Sequence, residues 1–229
     1  MTDKTAIIIG TSSGIGLALV SELASRGWLV TATTRRDAPE LAEAAAASGG
    51  RITLATVDID EIDSINALDT ALGAQTFDLI FVNAGTIGPA NSAVDKVTAA
   101  EIGALMMTNA IAPVRIAKLL LPRAVPGGTI VLMTSILGSV TLNVNGTYDL
   151  YRASKAALNS LSRGFYAHHV APRGLTLLNL HPGWVKTRMG GATAAIEVVD
   201  SVRGIANVVE TATSGGQHFI DFEGNTLPW

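Results

Sequence analysis

The stretch Ala6-Ile7-Ile8-Ile9-Gly10-Thr11-Ser12-Ser13-Gly14-Ile15-Gly16 runs from an apolar tetrad through a glycine-rich turn into a segment of helical period. An apolar run bounded by glycine reads as a buried strand, and Leu17, Leu19, Val20, Leu23 and Ala24 then recur on one helical face. The turn therefore joins a strand to a helix N-terminus, where unpaired N–H groups and a partial positive charge point outward. Gly10, Gly14 and Gly16 let the backbone turn sharply and approach a pyrophosphate. The spacing is G-x-x-x-G-x-G rather than G-x-G-x-x-G. A ligand-free βα turn is the bland alternative, so the rest of the chain must decide.

The same alternation continues outward from that turn. Strand-length runs at Trp28–Thr33, Arg51–Val57, Phe77–Val82, Gly128–Thr134, Leu175–Leu180 and Gln217–Phe222 alternate with helical stretches. The helical stretches lie at Leu41–Ala47, around Ile62–Leu68, at Ala99–Leu121, from Tyr148 or Tyr151 to His169, and at Ile196–Ala212. Seven strands alternating with helices predict an α/β fold: a doubly wound seven-stranded parallel sheet, Rossmann-like, in a single domain spanning 1–229. Right-handed crossovers then put a ligand crevice at the carboxyl ends of the strands.

Composition narrows the function classes. The 229 residues are 48% hydrophobic and 15% charged, as in a globular chain. A formal net charge of −3 leaves no basic footprint for nucleic acid or an anionic membrane. The chain has no cysteine, so disulfides and thiolate metal sites are excluded. His168-His169 reads as a helix terminus favoured by the dipole, and no metal site is expected. No uninterrupted apolar run looks long enough to span a bilayer, and a cytoplasmic protein is expected.

Residues just past each strand should face the crevice. Past the second strand stand Arg35 and Arg36, with no acid immediately there. An acid at that place accepts ribose hydroxyls and selects NAD, whereas arginine pairs with a 2′-phosphate; NADP is therefore expected over NAD. Asp58-Ile59 follows the third strand, with Asp58 placed either to accept from an adenine amino group or to cap the next helix. Asn83-Ala84-Gly85 follows the fourth, Ser135 the fifth, and Pro182-Gly183-Trp184-Val185-Lys186-Thr187 the sixth. Tyr151 and Lys155 lie at i and i+4 on one helical face. Lysine beside a phenol favours phenolate and lowers its pKa, which suits proton transfer to a carbonyl oxygen.

Together these elements resemble the short-chain dehydrogenase/reductase family over nearly the whole chain. Gly10-x-x-x-Gly14-Ile15-Gly16 is similar to its cofactor loop, Asn83-Ala84-Gly85 to its N-N-A-G segment with Val82 in place of the first Asn, and Thr108-Asn109 to its active-site Asn position. Thr134-Ser135 with Gly138 resembles S-S-x-x-G, Tyr151-Arg152-Ala153-Ser154-Lys155 resembles Y-x-x-S-K, and Pro182-Gly183-Trp184-Val185-Lys186-Thr187 resembles P-G-x-V-x-T. The tail Phe219–Trp229 resembles the ending of C-factor- and Sniffer-like carbonyl reductases.

The resemblance implies NADPH-dependent reduction of a small ketone or aldehyde to an alcohol. It implies Tyr151 as proton donor, Ser135 on the same carbonyl oxygen, Lys155 on the nicotinamide ribose and Asn109 in a proton relay. Ser12, Ser13, Ile15, Ile59, Pro182, Gly183, Val185 and Thr187 join the glycines, arginines and Asn83–Gly85 as cofactor-binding candidates. Ser13 occupies a place where some NADP-using members carry a basic residue, which leaves phosphate recognition to Arg35 and Arg36. Ser135 and Tyr151 are 16 positions apart, which implies an enlarged loop over Asn143–Asp149 beside the substrate. The short Thr187–Ile196 stretch implies an open site. A homodimer or homotetramer is also implied. The rival reading is a nucleotide-binding regulator or signal with little catalytic role, whose mark would be damage to the Ser-Tyr-Lys set; here the set is intact.

Overall fold

The computed structural model describes residues 3–89, 93–212 and 215–229. Its strands are β1 (Thr5–Ile9), β2 (Leu29–Thr34), β3 (Ile52–Thr56), β4 (Phe77–Val82), β5 (Ala124–Met133), β6 (Thr176–His181) and β7 (Gly216–Asp221). Its helices are α1 (Gly14–Ser25), α2 (Pro39–Ala47), α3 (Ile62–Leu72), α4 (Ala99–Met106), α5 (Ala112–Leu120), α6 (Asp149–Phe165) and α7 (Val198–Thr211). All seven strands join one sheet in the order β3-β2-β1-β4-β5-β6-β7, and every pairing is parallel. Strand order reverses between β1 and β4, so the crevice opens where the sheet's two halves wind in opposite directions.

The period of two along each strand divides the core between the two faces of the sheet. Ile7, Ile9, Ile80, Val82, Ile130 and Leu132 bury with Ile65, Leu68, Ile116, Leu120 and Leu158 of α3, α5 and α6. The alternate residues Ala6, Ile8, Leu79, Phe81, Val131 and Leu178 bury with Leu19, Val20, Leu23, Val202 and Ile205 of α1 and α7. Both faces are covered, which is why the strands read as continuous apolar runs.

Two departures from the sequence pattern bear on the site. The helical region starting at Ala99 continues to Arg123, but a π-turn over Met107–Ile111 interrupts it between α4 and α5. An apolar period carries straight through this turn, so nothing in the pattern marks it. The extra residue of a π-turn rotates α5 relative to α4, and Asn109 within the turn is fully buried. The run of 25 residues is long and apolar enough to cross a membrane by length and composition alone, but Glu101, Arg115, Lys118 and Arg123 interrupt it, so it is not the uninterrupted apolar stretch whose absence the sequence predicts. Ala112, Pro113, Ile116, Ala117 and Leu120 are buried against the sheet side of the fold, so it is a core helix.

Candidate active site

The carboxyl ends of β1 to β6 and the start of α1 enclose a cleft of about 660 Å³. At its first wall, Gly10 adopts φ +90°, and a Cβ there would lie 2.8 Å from Ala84. The close approach of these two segments is fastened by the Asn83 amide donating to Gly10 O at 2.6 Å. Helix α1 begins at Gly14 with no side-chain cap on its first turn and no acid in it. Its leading N–H groups thus remain available to an anion.

At the second wall Arg35 and Asp58 face each other at 3.6 Å, both partly exposed. Asp58 Oδ1 accepts from Asp60 N at 3.1 Å, so its carboxylate organises the turn, while α3 starts after Glu61 without a side-chain cap. Asp60 also lines the cleft; its Oδ2 accepts from the Thr108 hydroxyl at 2.7 Å, whereas Oδ1 is buried with no partner among the described residues. A buried carboxylate oxygen with no donor is costly to the fold.

The floor carries a tyrosine and a lysine. Tyr151 and Lys155, one turn apart on α6, both line the cleft. Burial pushes the Tyr151 phenol up to about 12, and its hydrogen bond with the Ser135 hydroxyl works in the opposite direction. Burial likewise pushes the Lys155 ammonium down to about 8. Lys155 Nζ donates to Met133 O at 3.0 Å and lies 5.9 Å from the Tyr151 ring centroid. The i, i+4 spacing alone has Lys155 pulling the phenol down; in the structure desolvation outweighs the downward pull of Ser135, and the net direction is upward.

Asn109 is placed behind this floor. Its Oδ1 accepts from Thr86 N at 2.8 Å, and its Nδ2 donates to Thr86 O at 2.7 Å and to Ser154 Oγ at 3.0 Å. The side chain therefore fastens the chain after β4 to α6. A Cβ on Gly85 would meet Asn109 Oδ1 at 3.3 Å and Lys155 Nζ at 3.5 Å, so only a small residue leaves those groups room.

Fifteen of the residues singled out by sequence line one cleft: Gly10, Ser12, Ser13, Gly14, Ile15, Arg35, Asp58, Ile59, Asn83, Ala84, Gly85, Tyr151, Lys155, Pro182 and Thr187. Six others do not line it: Gly16, Arg36, Asn109, Ser135, Gly183 and Val185. Ser135 still reaches the site through Tyr151. Gly16 and Gly183 are packing positions, since an added Cβ would lie 2.2 Å from Gly10 O and 2.3 Å from Ile196 respectively. Val185 is buried and bridges to Ile196. Asp60, Thr86, Thr108, Arg188 and Met189 also line the cleft, although the sequence pattern does not single them out. Asp60 and Thr108 could be found from their neighbours, Asp58 and Asn109.

A family model for short chain dehydrogenases matches residues 4–197, a range that takes in the glycine turn, the Ser-Tyr-Lys set and the Pro182–Thr187 segment. The chain belongs to the short-chain dehydrogenase family. A family member from Burkholderia multivorans, solved with bound NADP, is 36% identical with a TM-score of 0.95, each chain covered in full. A carbonyl reductase from Pseudomonas aeruginosa PAO1 in complex with NADP is 38% identical at a TM-score of 0.92, again with full coverage of both. The C-signal of Myxococcus xanthus is 35% identical over 155 residues, 66% of this short-chain dehydrogenase and 92% of the relative. The carbonyl-reductase-like subgroup suggested by the tail is thus present among its relatives.

Proposed function

We propose that this short-chain dehydrogenase reduces a ketone or aldehyde to an alcohol with NADPH. The observation that carries the reading is that Tyr151 and Lys155, with Ser135 behind them, share one cleft with the uncapped start of α1 and Arg35. The cleft fits the cofactor: it offers helix N–H groups to a pyrophosphate and a guanidinium to a 2′-phosphate. It also offers the partly exposed Asp58 carboxylate to a donor such as an amino group. Similar chains solved with NADP support the same choice.

Gly14 and Ile15 would hold the pyrophosphate, Arg35 the 2′-phosphate, Lys155 the nicotinamide ribose, and Thr187 the carboxamide. Bound NADPH supplies a hydride to the carbonyl carbon. The chain's own part is the proton. Tyr151, kept in its acid form by burial, donates its hydroxyl proton to the carbonyl oxygen, and the resulting phenolate is met by the Ser135 hydroxyl and the Lys155 charge. Solvent then returns the proton, so carbonyl, hydride and one proton give the alcohol.

A cytoplasmic setting and a homodimer or homotetramer belong to the same proposal. Ile102, Ile111 and Leu161 stand exposed along the α4–α5 run and α6, apolar surface of the kind a subunit contact covers.

The test is titration with NADPH and with NADH, repeated on Arg35→Ala and Arg36→Ala. Loss of a charge-assisted contact should weaken NADPH by about 10- to 100-fold for Arg35→Ala. Arg36 does not line the cleft, and its variant should change little. Equal or tighter NADH binding overturns the choice of NADPH. Binding of neither cofactor overturns the enzyme reading in favour of a signalling protein.

A further inference from the structure

The segment beyond β7 is a motif that the proposed chemistry does not use. Asp221 Oδ1 accepts from Glu223 N and Asn225 N, both at 2.9 Å, which turns the chain back on itself. The returning strand runs antiparallel to β7: Thr226 bridges to Ile220, and Leu227 N donates to Phe219 O at 2.8 Å. This course delivers Trp229 to a defined place. Its ring packs at 5.3 Å from buried Phe219, and the Arg163 guanidinium of α6 lies 5.1 Å from the ring centroid.

A main-chain oxygen of Trp229 then accepts twice from Thr141, from the hydroxyl at 2.8 Å and from the amide N–H at 3.3 Å. Thr141 belongs to the loop that joins Ser135 to Tyr151, the two side chains assigned to the carbonyl oxygen. The far end of that loop is held separately. The buried Arg152 donates to Thr147 O at 2.6 Å and to Asn145 Oδ1 at 2.9 Å. Its own N–H donates to the oxygen of Tyr148, which sits in the left-handed region at φ 61°. Between these two anchors Val144 is 92% exposed, so the loop makes little core contact of its own. Its internal bonds are local turns, such as Leu142 N to Ser139 Oγ and Gly146 N to Asn143 Oδ1, both at 3.2 Å, so its two ends are what tie it to the rest of the fold.

We infer that Trp229 is a positioning residue for the substrate side of the cleft: through Thr141 it holds the loop between Ser135 and Tyr151 in the shape that receives the carbonyl compound. The inference rests on the proposed reductase function for its kinetic consequence and on geometry alone for the anchoring. Trp229 touches neither the cofactor walls nor the reacting groups, so its effect falls on substrate affinity.

The experiment compares wild type, Trp229→Ala, Trp229→Phe and Thr141→Val by amide hydrogen exchange over 139–148. Steady-state reduction of 1-phenylpropane-1,2-dione by NADPH is measured on the same samples. Trp229→Ala should speed exchange across the loop about tenfold and raise KM for the dione about tenfold, with kcat within about threefold and NADPH affinity unchanged. Trp229→Phe keeps a ring and the main-chain oxygen and should restore most of both. Thr141→Val removes the hydroxyl bond alone, should shift both in the same direction by less, and keeps the test open if Trp229→Ala fails to fold. Unchanged exchange in Trp229→Ala and Thr141→Val overturns the anchoring, and faster exchange with unchanged KM overturns the positioning role. Should wild type neither bind NADPH nor reduce the dione, the proposed function fails, while the exchange arm still decides whether Trp229 holds the loop.

Discussion

Lys155 Nζ donates to the main-chain oxygen of Met133, the last residue of β5, at 3.0 Å. This bond ties the lysine to the strand that delivers Ser135, and among the described residues it is the one hydrogen-bond partner of a buried ammonium.

The pH dependence of stability follows from that burial. With its pKa pushed down to about 8 in the folded chain and at 10.5 when exposed, Lys155 binds fewer protons folded than unfolded between those values. Stability therefore rises with pH across that window, and the desolvation cost of the charge is fully present below about 8. Lys155→Met removes the charge. Its melting temperature relative to wild type should be most favourable near neutral pH and should lose ground as pH rises through that window. Thermal melts of the cofactor-free proteins at several pH values check this; a gap that does not change with pH would refute it.

Tyr151 and Ser135 should separate by role. Tyr151→Phe removes the proposed proton donor and should lower kcat for carbonyl reduction by about 10²- to 10⁴-fold, with NADPH affinity within about twofold. Ser135→Ala removes the hydroxyl that opposes the upward shift of the phenol. Any rise of rate with pH assigned to Tyr151 should move to higher pH in that variant, as pH–rate profiles of the oxidation direction would show.

Much of this site is legible in the sequence because each strand's carboxyl end delivers its next residues to one edge. In Ile9-Gly10, Val57-Asp58 and Val82-Asn83 the strand pattern is enough to place Gly10, Asp58 and Asn83 together. Legibility stops where tertiary contacts decide. Arg35 and Arg36 are adjacent in sequence and indistinguishable in type, yet only Arg35 lines the cleft. The Met107–Ile111 π-turn leaves the apolar period intact, so the inward rotation of Asn109 has no local mark. The raised phenol pKa reflects burial summed over several elements, which an i, i+4 spacing does not encode. Thr141 and Trp229 are 88 residues apart and share no pattern at all.

Gly16 offers a test of the glycine turn as architecture. It does not line the cleft, but a Cβ there would stand 2.2 Å from Gly10 O and 2.6 Å from the Asn83 amide. Gly16→Ala must therefore break the bond between Asn83 and Gly10 O, or push α1 away from the β1 turn. A loss of about 2–4 kcal/mol is expected from that overpacking together with the stranded polar groups. Gly164→Ala, on α6 with open space where its Cβ would go, is the control and should be neutral or stabilising. Denaturant melts of the two variants should differ clearly in midpoint.

His181 should set part of the acid limit of the fold. It ends β6, paired in register with Asp221 of β7, and its Nδ1 is buried with no partner among the described residues. Burial pushes its pKa down to about 4, with the Asp221 charge acting weakly upward. Between about 4 and 6.5 the unfolded chain binds a proton at this ring that the folded chain does not. Stability therefore falls as pH drops through that window, by at most about 3.5 kcal/mol from this one group. His181→Gln cannot titrate there. Its stability should decline less steeply from pH 6.5 to 4 than that of wild type, even if it starts lower for lost packing. Parallel declines in urea melts across that range would remove His181 as the cause.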